Sequence, residues 1–305
     1  MATLDPAPLA SGTARAWWLA ARPRTLPVSA SPVVVGTAVA WAEGGAQALP
    51  AAAALLGALL LQIGANFAND LFDFEKGADT KERLGPARAV QTGLISPQQM
   101  RTGIALAFGG AFGVGLYLVA IAGWPIVVVG LLSIAGGIAY TGGPFPLGYH
   151  GLGDLTVFIF FGLFAVCGTY YVQVQSLSPA ILAASLPVGA LATAILVVNN
   201  VRDLETDAKA GKRTLAVRMG RRASLIQYTA LLLFPYLFLP AAHLWLDCSA
   251  GIYLALLTAP AALRSIRTVV SSSSRVDGPA LNAALAGTAK LQLGFSLLLA
   301  LGWVV

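Results

Sequence analysis

The sequence predicts an all-α fold, a polytopic membrane helical bundle of about nine transmembrane helices, from three observations: composition, the spacing of apolar runs, and the placement of basic residues. Of the 305 residues, 57% are hydrophobic and 10% charged, whereas a soluble globular chain is roughly one quarter charged. Lipid is the solvent this balance suits. A spanning helix takes about 20 apolar residues, and apolar runs at 27-43, 49-68, 103-121, 124-141, 155-173, 180-199, 224-242, 250-266 and 285-304 supply nine. No polar stretch is long enough for a second domain, so residues 1-305 read as a single transmembrane domain with 1-20 as a cytoplasmic lead.

Basic residues set the topology. Of the 19 Lys and Arg, 18 fall in the N-terminal segment and the connections 70-101, 202-222 and 264-275, which nine spans place on one side; the opposite loops carry none. Basic loops stay cytoplasmic, so the N-terminus and these connections are predicted inside and the C-terminus outside. The same distribution explains the formal charge of +6 without invoking nucleic acid.

The lead carries Asp5 and an Ala/Pro-rich stretch before Arg15, Arg22 and Arg24, and it lacks the basic-then-apolar pattern of a cleaved signal peptide. The second span closes in Asn66-Phe-Ala-Asn69-Asp70-Leu-Phe-Asp73, followed by Glu75, Lys76, Gly77 and Asp79. If the helix continues, Asn66, Asn69 or Asp70, and Asp73 share one face. The sixth span closes in Asn199-Asn200-Val-Arg202-Asp203-Leu-Glu205-Thr-Asp207, where Asn199, Asp203 and Asp207 recur every four residues. Both spans run toward the inside, so both stripes emerge on the same side. Lys290 in the last span reads as a side chain snorkelling to the interface. Cys167 and Cys248 read as packing residues.

Carboxylates gathered at a membrane boundary repel one another and are costly to desolvate, so a cation between them is expected. Hard oxygen ligands favour Mg²⁺, which takes one or two protein carboxylates and completes its shell with water and phosphate oxygens. Two such clusters facing each other would clamp a diphosphate. Lys76, Lys81, Arg83 and Arg88 follow the first cluster, and Arg202, Lys209, Lys212 and Arg213 surround the second, supplying cations suited to phosphate oxygens.

At these segments the chain resembles the UbiA superfamily of intramembrane prenyltransferases, most closely its 1,4-dihydroxy-2-naphthoate polyprenyltransferase branch. The resemblance runs from Ala21-Arg22-Pro-Arg24-Thr25-Leu-Pro27 to the last span. It is carried by Asn69-Asp70-Leu-Phe-Asp73, Arg83-Leu-Gly85-Pro86, Tyr140-Thr141-Gly142-Gly143-Pro144, Gly148-Tyr149-His-Gly151-Leu-Gly153-Asp154, Asn199-Asn200-Val-Arg202-Asp203 and Gly211-Lys212-Arg213-Thr214-Leu215. The Tyr-Thr-Gly-Gly-Pro and Gly-Lys-Arg-Thr-Leu segments look like the naphthoate branch rather than the 4-hydroxybenzoate branch. The broad superfamily pattern has a third aspartate four residues after Asp73; here that position is Gly77, and the next acid is Asp79.

The resemblance implies transfer of a polyprenyl chain from its diphosphate to 1,4-dihydroxy-2-naphthoate with loss of CO₂ and diphosphate, giving demethylmenaquinol in menaquinone biosynthesis. The bacterial inner membrane is the implied location. Asp70, Asp73, Asp203 and Asp207 would hold Mg²⁺, with Asp79 completing the first site or orienting a cation. Asn66, Asn69, Asn199 and Asn200 would add neutral oxygens, and Lys76, Arg83, Arg88, Lys212 and Arg213 would contact the diphosphate. Tyr140 is the candidate for cation-π stabilisation of an allylic cation. Tyr149 and His150 are candidates to touch the acceptor, with His150 reading more readily as a surface-loop residue, and Arg22 with Arg24 are candidates either for binding its carboxylate or for anchoring the topology. Phe158, Phe160, Phe161 and Phe164 are candidates for lining the tail channel or for facing lipid. The competing functions are a related transferase using 4-hydroxybenzoate, homogentisate or a tetrapyrrole, and a secondary transporter. Acids at one boundary rather than at the midplane disfavour alternating access.

Overall fold

The structure is a computed structural model and describes residues 11-78, 84-86, 88-246, 248-273 and 277-305. Among the described residues every regular element is helical, and each of the nine apolar runs falls on a helix. These helices are α2 (Pro27–Ala42), α3 (Ala48–Glu75), α4 (Pro97–Ala122), α5 (Trp124–Ala139), α6 (Gly153–Val174), α7 (Pro179–Arg202), α9 (Leu215–Leu246), α10 (Ala250–Ser273) and α11 (Gly278–Val304). Among the described residues, two short α-helices, α1 (Ala14–Ala21) and α8 (Leu204–Lys209), and a single 3-10 turn at Gly148–His150 complete the set. Seven of the nine are long and apolar enough to cross a membrane by length and composition, and α2 and α5 are shorter apolar helices. Large apolar side chains face outward around the bundle, Leu106, Trp124, Leu237 and Leu257 among them. The chain is an integral membrane protein.

Local chemistry sets the helix starts. Ser96 and Gln99 form a reciprocal capping box ahead of α4, with Pro97 at the first helical position. Ser178 caps α7 before Pro179, and Asp277 caps α11. The lead is not featureless: Thr13 caps α1, and Trp17 packs edge-on against Phe67 of α3 with ring centroids 5.3 Å apart.

Length decides where the polar groups sit. The 28 residues of α3 span about 42 Å at 1.5 Å per residue, against a hydrocarbon core of about 30 Å. Its last turns, with Asn66 through Asp73, therefore overrun the apolar layer as helix. The 16-residue helices α2 and α5 reach only about 24 Å. The first residues of α2 and the last of α5 border the same end of the bundle, so the polar mouth sinks between them.

Helix α7 is the most enclosed span and packs on α6, α9, α11 and α2, while α2 also touches α3, joining the first helices to the last. Close approach is paid for by small residues: at the α6–α7 crossing a Cβ on Gly162 would lie 2.9 Å from the Gly189 Cα. Val35, Val188, Leu191, Tyr228, Leu232 and Phe295 form part of the dry core on this side of the bundle. A second cluster of Ala16, Phe67, Leu71, Val90, Ile95 and Met100 ties α1, the end of α3 and the 88-95 segment into a rim.

Candidate active site

One cavity of about 590 Å³ runs from the polar ends of α3 and α7 into the apolar interior. Its mouth is lined by Arg22, Asn66, Asn69, Asp73, Arg88, Asn199, Asn200, Asp203, Asp207 and Lys212. Its body is lined by apolar side chains of α2 to α7 and by Leu285 of α11, with Phe160, Phe161 and Phe164 of α6 among them. Phe158 instead lies against Gly189 at the α6–α7 crossing. Charged groups and a dry interior thus belong to a single space.

On α3 the helix continues, and Asn66, Asn69 and Asp73 occupy the cavity face. Asp70 is not among the lining residues. Its two carboxylate oxygens accept the backbone N–H groups of Ala89 (2.9 Å) and Val90 (3.1 Å), which anchors the rim. Of the two residues the spacing left open for this face, Asn69 and Asp70, the structure puts Asn69 on it, because buried backbone donors of the 88-95 turn need an acceptor and Asp70 is turned toward them. Asn66 also serves the scaffold, donating to the Ala21 carbonyl at 2.9 Å. Asn69 accepts from the Thr141 hydroxyl.

Asp73 is 3% exposed and held by three side chains. It accepts from Arg88 at 2.7 Å, Lys212 at 2.9 Å and the Tyr149 hydroxyl at 2.7 Å. The Tyr149 ring centroid lies 5.0 Å from the Lys76 ammonium and 4.9 Å from that of Lys212. Lys76 donates to the carbonyls of Thr141 (2.7 Å) and Gly143 (3.3 Å), which binds the end of α3 to the loop after α5. Desolvation lowers the Lys76 ammonium from its ordinary value; Asp73 opposes this and Lys212 adds to it. Lys212 follows Gly211, whose φ of +76° turns the chain back so that the Lys212 N–H reaches the Asp207 carbonyl at 2.9 Å.

The second stripe bends. Helix α7 ends at Arg202, Asp203 leaves helical geometry with φ −94° and ψ 9°, and α8 restarts at Leu204. Asp203 N–H to Asn199 O (3.1 Å) and Asp207 N–H to Asp203 O (2.7 Å) keep the four-residue spacing through the bend, and all three side chains line the cavity. Arg202 organises this corner, a role the sequence reading did not assign. Its guanidinium is 1% exposed, pairs with Asp203 through Nε at 2.7 Å, and donates to Asn199 and Asn282, both at 2.7 Å. Asn282 of α11 donates in turn to the Leu84 carbonyl at 2.9 Å. The last helix thereby joins the second aspartate cluster to the segment after the first.

Tyr140 follows α5 and faces the cavity, its ring and hydroxyl packed against Gly148 and Gly153. Arg22 and Tyr149 line the same space. Arg213 does not: it is exposed and outside the lining, with its N–H donating to the Tyr149 carbonyl at 2.9 Å. His150 stacks on Phe145 at 3.8 Å, away from the lining. Asp79 and Arg83 lie outside the described residues. Among the described residues no three acidic, His or Cys side chains come close enough to hold a metal by themselves.

Comparison with known proteins agrees with this architecture. The model of the UbiA prenyltransferase family matches residues 29–303. A protein of Escherichia coli (strain K12) named 1,4-dihydroxy-2-naphthoate octaprenyltransferase is 38% identical over 294 residues, 94% of this chain and 94% of that one. A Haemophilus influenzae protein of the same name is 43% identical over 224 residues, 71% of this chain and 73% of the relative. The structure of a UbiA homologue from Archaeoglobus fulgidus bound to GPP and Mg²⁺ matches with a TM-score of 0.61 at 15% identity, covering 95% of this chain and 100% of that chain. From the family match along nearly its full length, and from a helical bundle whose two aspartate-bearing helix ends open on one cavity, the chain belongs to the UbiA prenyltransferase family.

Proposed function

We propose that this protein transfers a polyprenyl chain from polyprenyl diphosphate to 1,4-dihydroxy-2-naphthoate, releasing CO₂ and diphosphate and giving demethylmenaquinol in menaquinone biosynthesis. The observation that carries the reading is the continuity of one cavity from a mouth of three carboxylates and three cations to an apolar body. That shape suits a substrate with a trianionic head and a hydrocarbon tail. The names of the relatives give the acceptor.

The residues present fit Mg²⁺. Asp73, Asp203 and Asp207, with the amides of Asn69, Asn199 and Asn200, offer hard oxygen donors to one space, and diphosphate oxygens and water would complete the shell. When bound, the metal neutralises charge on the departing diphosphate. Arg88 and Lys212 add donors to the same oxygens, whereas Lys76 lies outside the lining and is held by the Thr141 and Gly143 carbonyls. As the C–O bond breaks, the Tyr140 ring faces the allylic cation, and the apolar walls of α5 and α6 keep water from it. Arg22 orients the acceptor through its carboxylate. The ring carbon bearing that carboxylate forms the new C–C bond, and the carboxylate leaves as CO₂ with its bonding electrons returned to the ring, so no net proton is released. Basic connections put the N-terminus and the mouth at the cytoplasmic face of a bacterial inner membrane.

Purified protein in detergent, supplied with Mg²⁺, a polyprenyl diphosphate and a panel of aromatic acids, tests the reading by mass spectrometry of the products. Prenylated, decarboxylated naphthalenediol is the expected product. Preferential conversion of 4-hydroxybenzoate or homogentisate would reject the assigned acceptor.

A further inference from the structure

The partners of Asp73 bear on the order in which metal and diphosphate bind, an inference that rests on the diphosphate reading above. A carboxylate meant to ligate a divalent cation is here engaged by a guanidinium, an ammonium and a phenol at 2.7, 2.9 and 2.7 Å. The cavity lining carries Arg22, Arg88 and Lys212 against Asp73, Asp203 and Asp207, so its formal charge is zero. Nothing in that balance draws in a lone divalent cation. To reach Asp73 it would have to displace a buried guanidinium and a buried ammonium from their carboxylate, which is strongly unfavourable.

A diphosphate changes this. Its oxygens accept from the same two side chains, which releases Asp73 at the moment when metal is needed between carboxylate and phosphate. Lys212 is suited to such a move. It has a flexible unbranched stem, it sits next to the Gly211 turn, and it already lies 4.9 Å from the Tyr149 ring, a second favourable position as it leaves the carboxylate. Arg202 is the contrast: Asp203, Asn199 and Asn282 hold it from three directions, so it is a fixed counter-charge. We propose that Lys212 and Arg88 stand in for the metal on Asp73 until a diphosphate takes them over, so that divalent metal and diphosphate bind as one cooperative unit and metal alone binds poorly.

The linkage is reciprocal and can be measured without turnover. Purified protein is dialysed to equilibrium against Mn²⁺, with and without inorganic diphosphate, and metal retained with the protein is measured by elemental analysis. The expected result is an apparent Mn²⁺ affinity raised about tenfold or more by diphosphate. In Lys212→Gln, Mn²⁺ alone should bind more tightly than in the unmodified protein and the diphosphate dependence should shrink; Lys212→Arg should keep the dependence. Equal Mn²⁺ affinity with and without diphosphate in the unmodified protein overturns the inference while leaving the diphosphate site standing. An unchanged Lys212→Gln overturns the role given to Lys212. Absence of Mn²⁺ retention in both arms removes the metal–diphosphate clamp and this inference with it. Because the unmodified protein alone decides the main point, a variant that fails to fold does not protect the idea.

Discussion

Asp70 and Asp73 are three residues apart on one helix and do different work. Asp73 faces the cavity and Asp70 holds the backbone of the rim. Asp73→Asn is therefore expected to lower turnover by about 10²-fold or more with every acceptor, measured as kcat on protein shown to be folded. Asp70→Asn places an amide N–H against backbone N–H groups, and should cost about 1–3 kcal/mol of stability, read as a lower thermal midpoint in detergent. Turnover at the unmodified rate in Asp73→Asn would reject the clamp. At Tyr140 the ring is the working part, so Tyr140→Phe should retain most activity and Tyr140→Ala should not; equal losses would transfer the role to the hydroxyl. Both aspartates stood out in the sequence and Asp73 fell on the stripe, but whether Asn69 or Asp70 joined it was left open. Asn69 and Asp70 lie about 100° apart around the helix, on either side of the Asn66–Asp73 line, and only the turn at Ala89 and Val90 decides between them.

The elements show how rigid the second cluster is. Arg202 joins the end of α7 to α11 through Asn282, and Asn282 reaches the segment after α3 through the Leu84 carbonyl. Arg202→Met leaves Asp203 buried without its cation, at a cost of about 3 kcal/mol. The double variant Arg202→Met with Asp203→Asn should be less destabilised than the two single effects added together, since the second change removes the charge stranded by the first. Additive thermal shifts would show that the pair is not coupled. At the α6–α7 crossing, Gly162→Val should lower the thermal midpoint, because its Cβ alone would sit 2.9 Å from the Gly189 Cα and 3.0 Å from the Ser185 carbonyl. The apolar runs disclosed these helices through length and composition. They did not disclose that α6 loosens into a π-helical stretch at Phe158–Cys167, or that α7 bends at Asp203, because both depend on neighbouring helices rather than on local propensity.

For the whole molecule, the basic connections predict an orientation with the mouth on the cytoplasmic side. In a background with Cys167→Ala and Cys248→Ala, Ser176→Cys and Ser249→Cys should react with an impermeant thiol reagent added to intact cells, whereas Gln98→Cys and Lys209→Cys should not. The reverse pattern would place the mouth outside. The sequence by itself determined the helical class, the number of apolar helices and the two acidic helix ends, since these follow from solvent matching and from periodicity along a single helix. It also pointed to the family, through short segments whose residues are close in the chain. The tertiary structure decided that Asp73 is held by Arg88 and Lys212, that Arg202 and Asn282 tie the last helix to the mouth, and that Arg213 stays outside. Each of these depends on groups from distant segments meeting in a space that excludes water, where a buried charge must find a partner, and no local pattern records which partner that is.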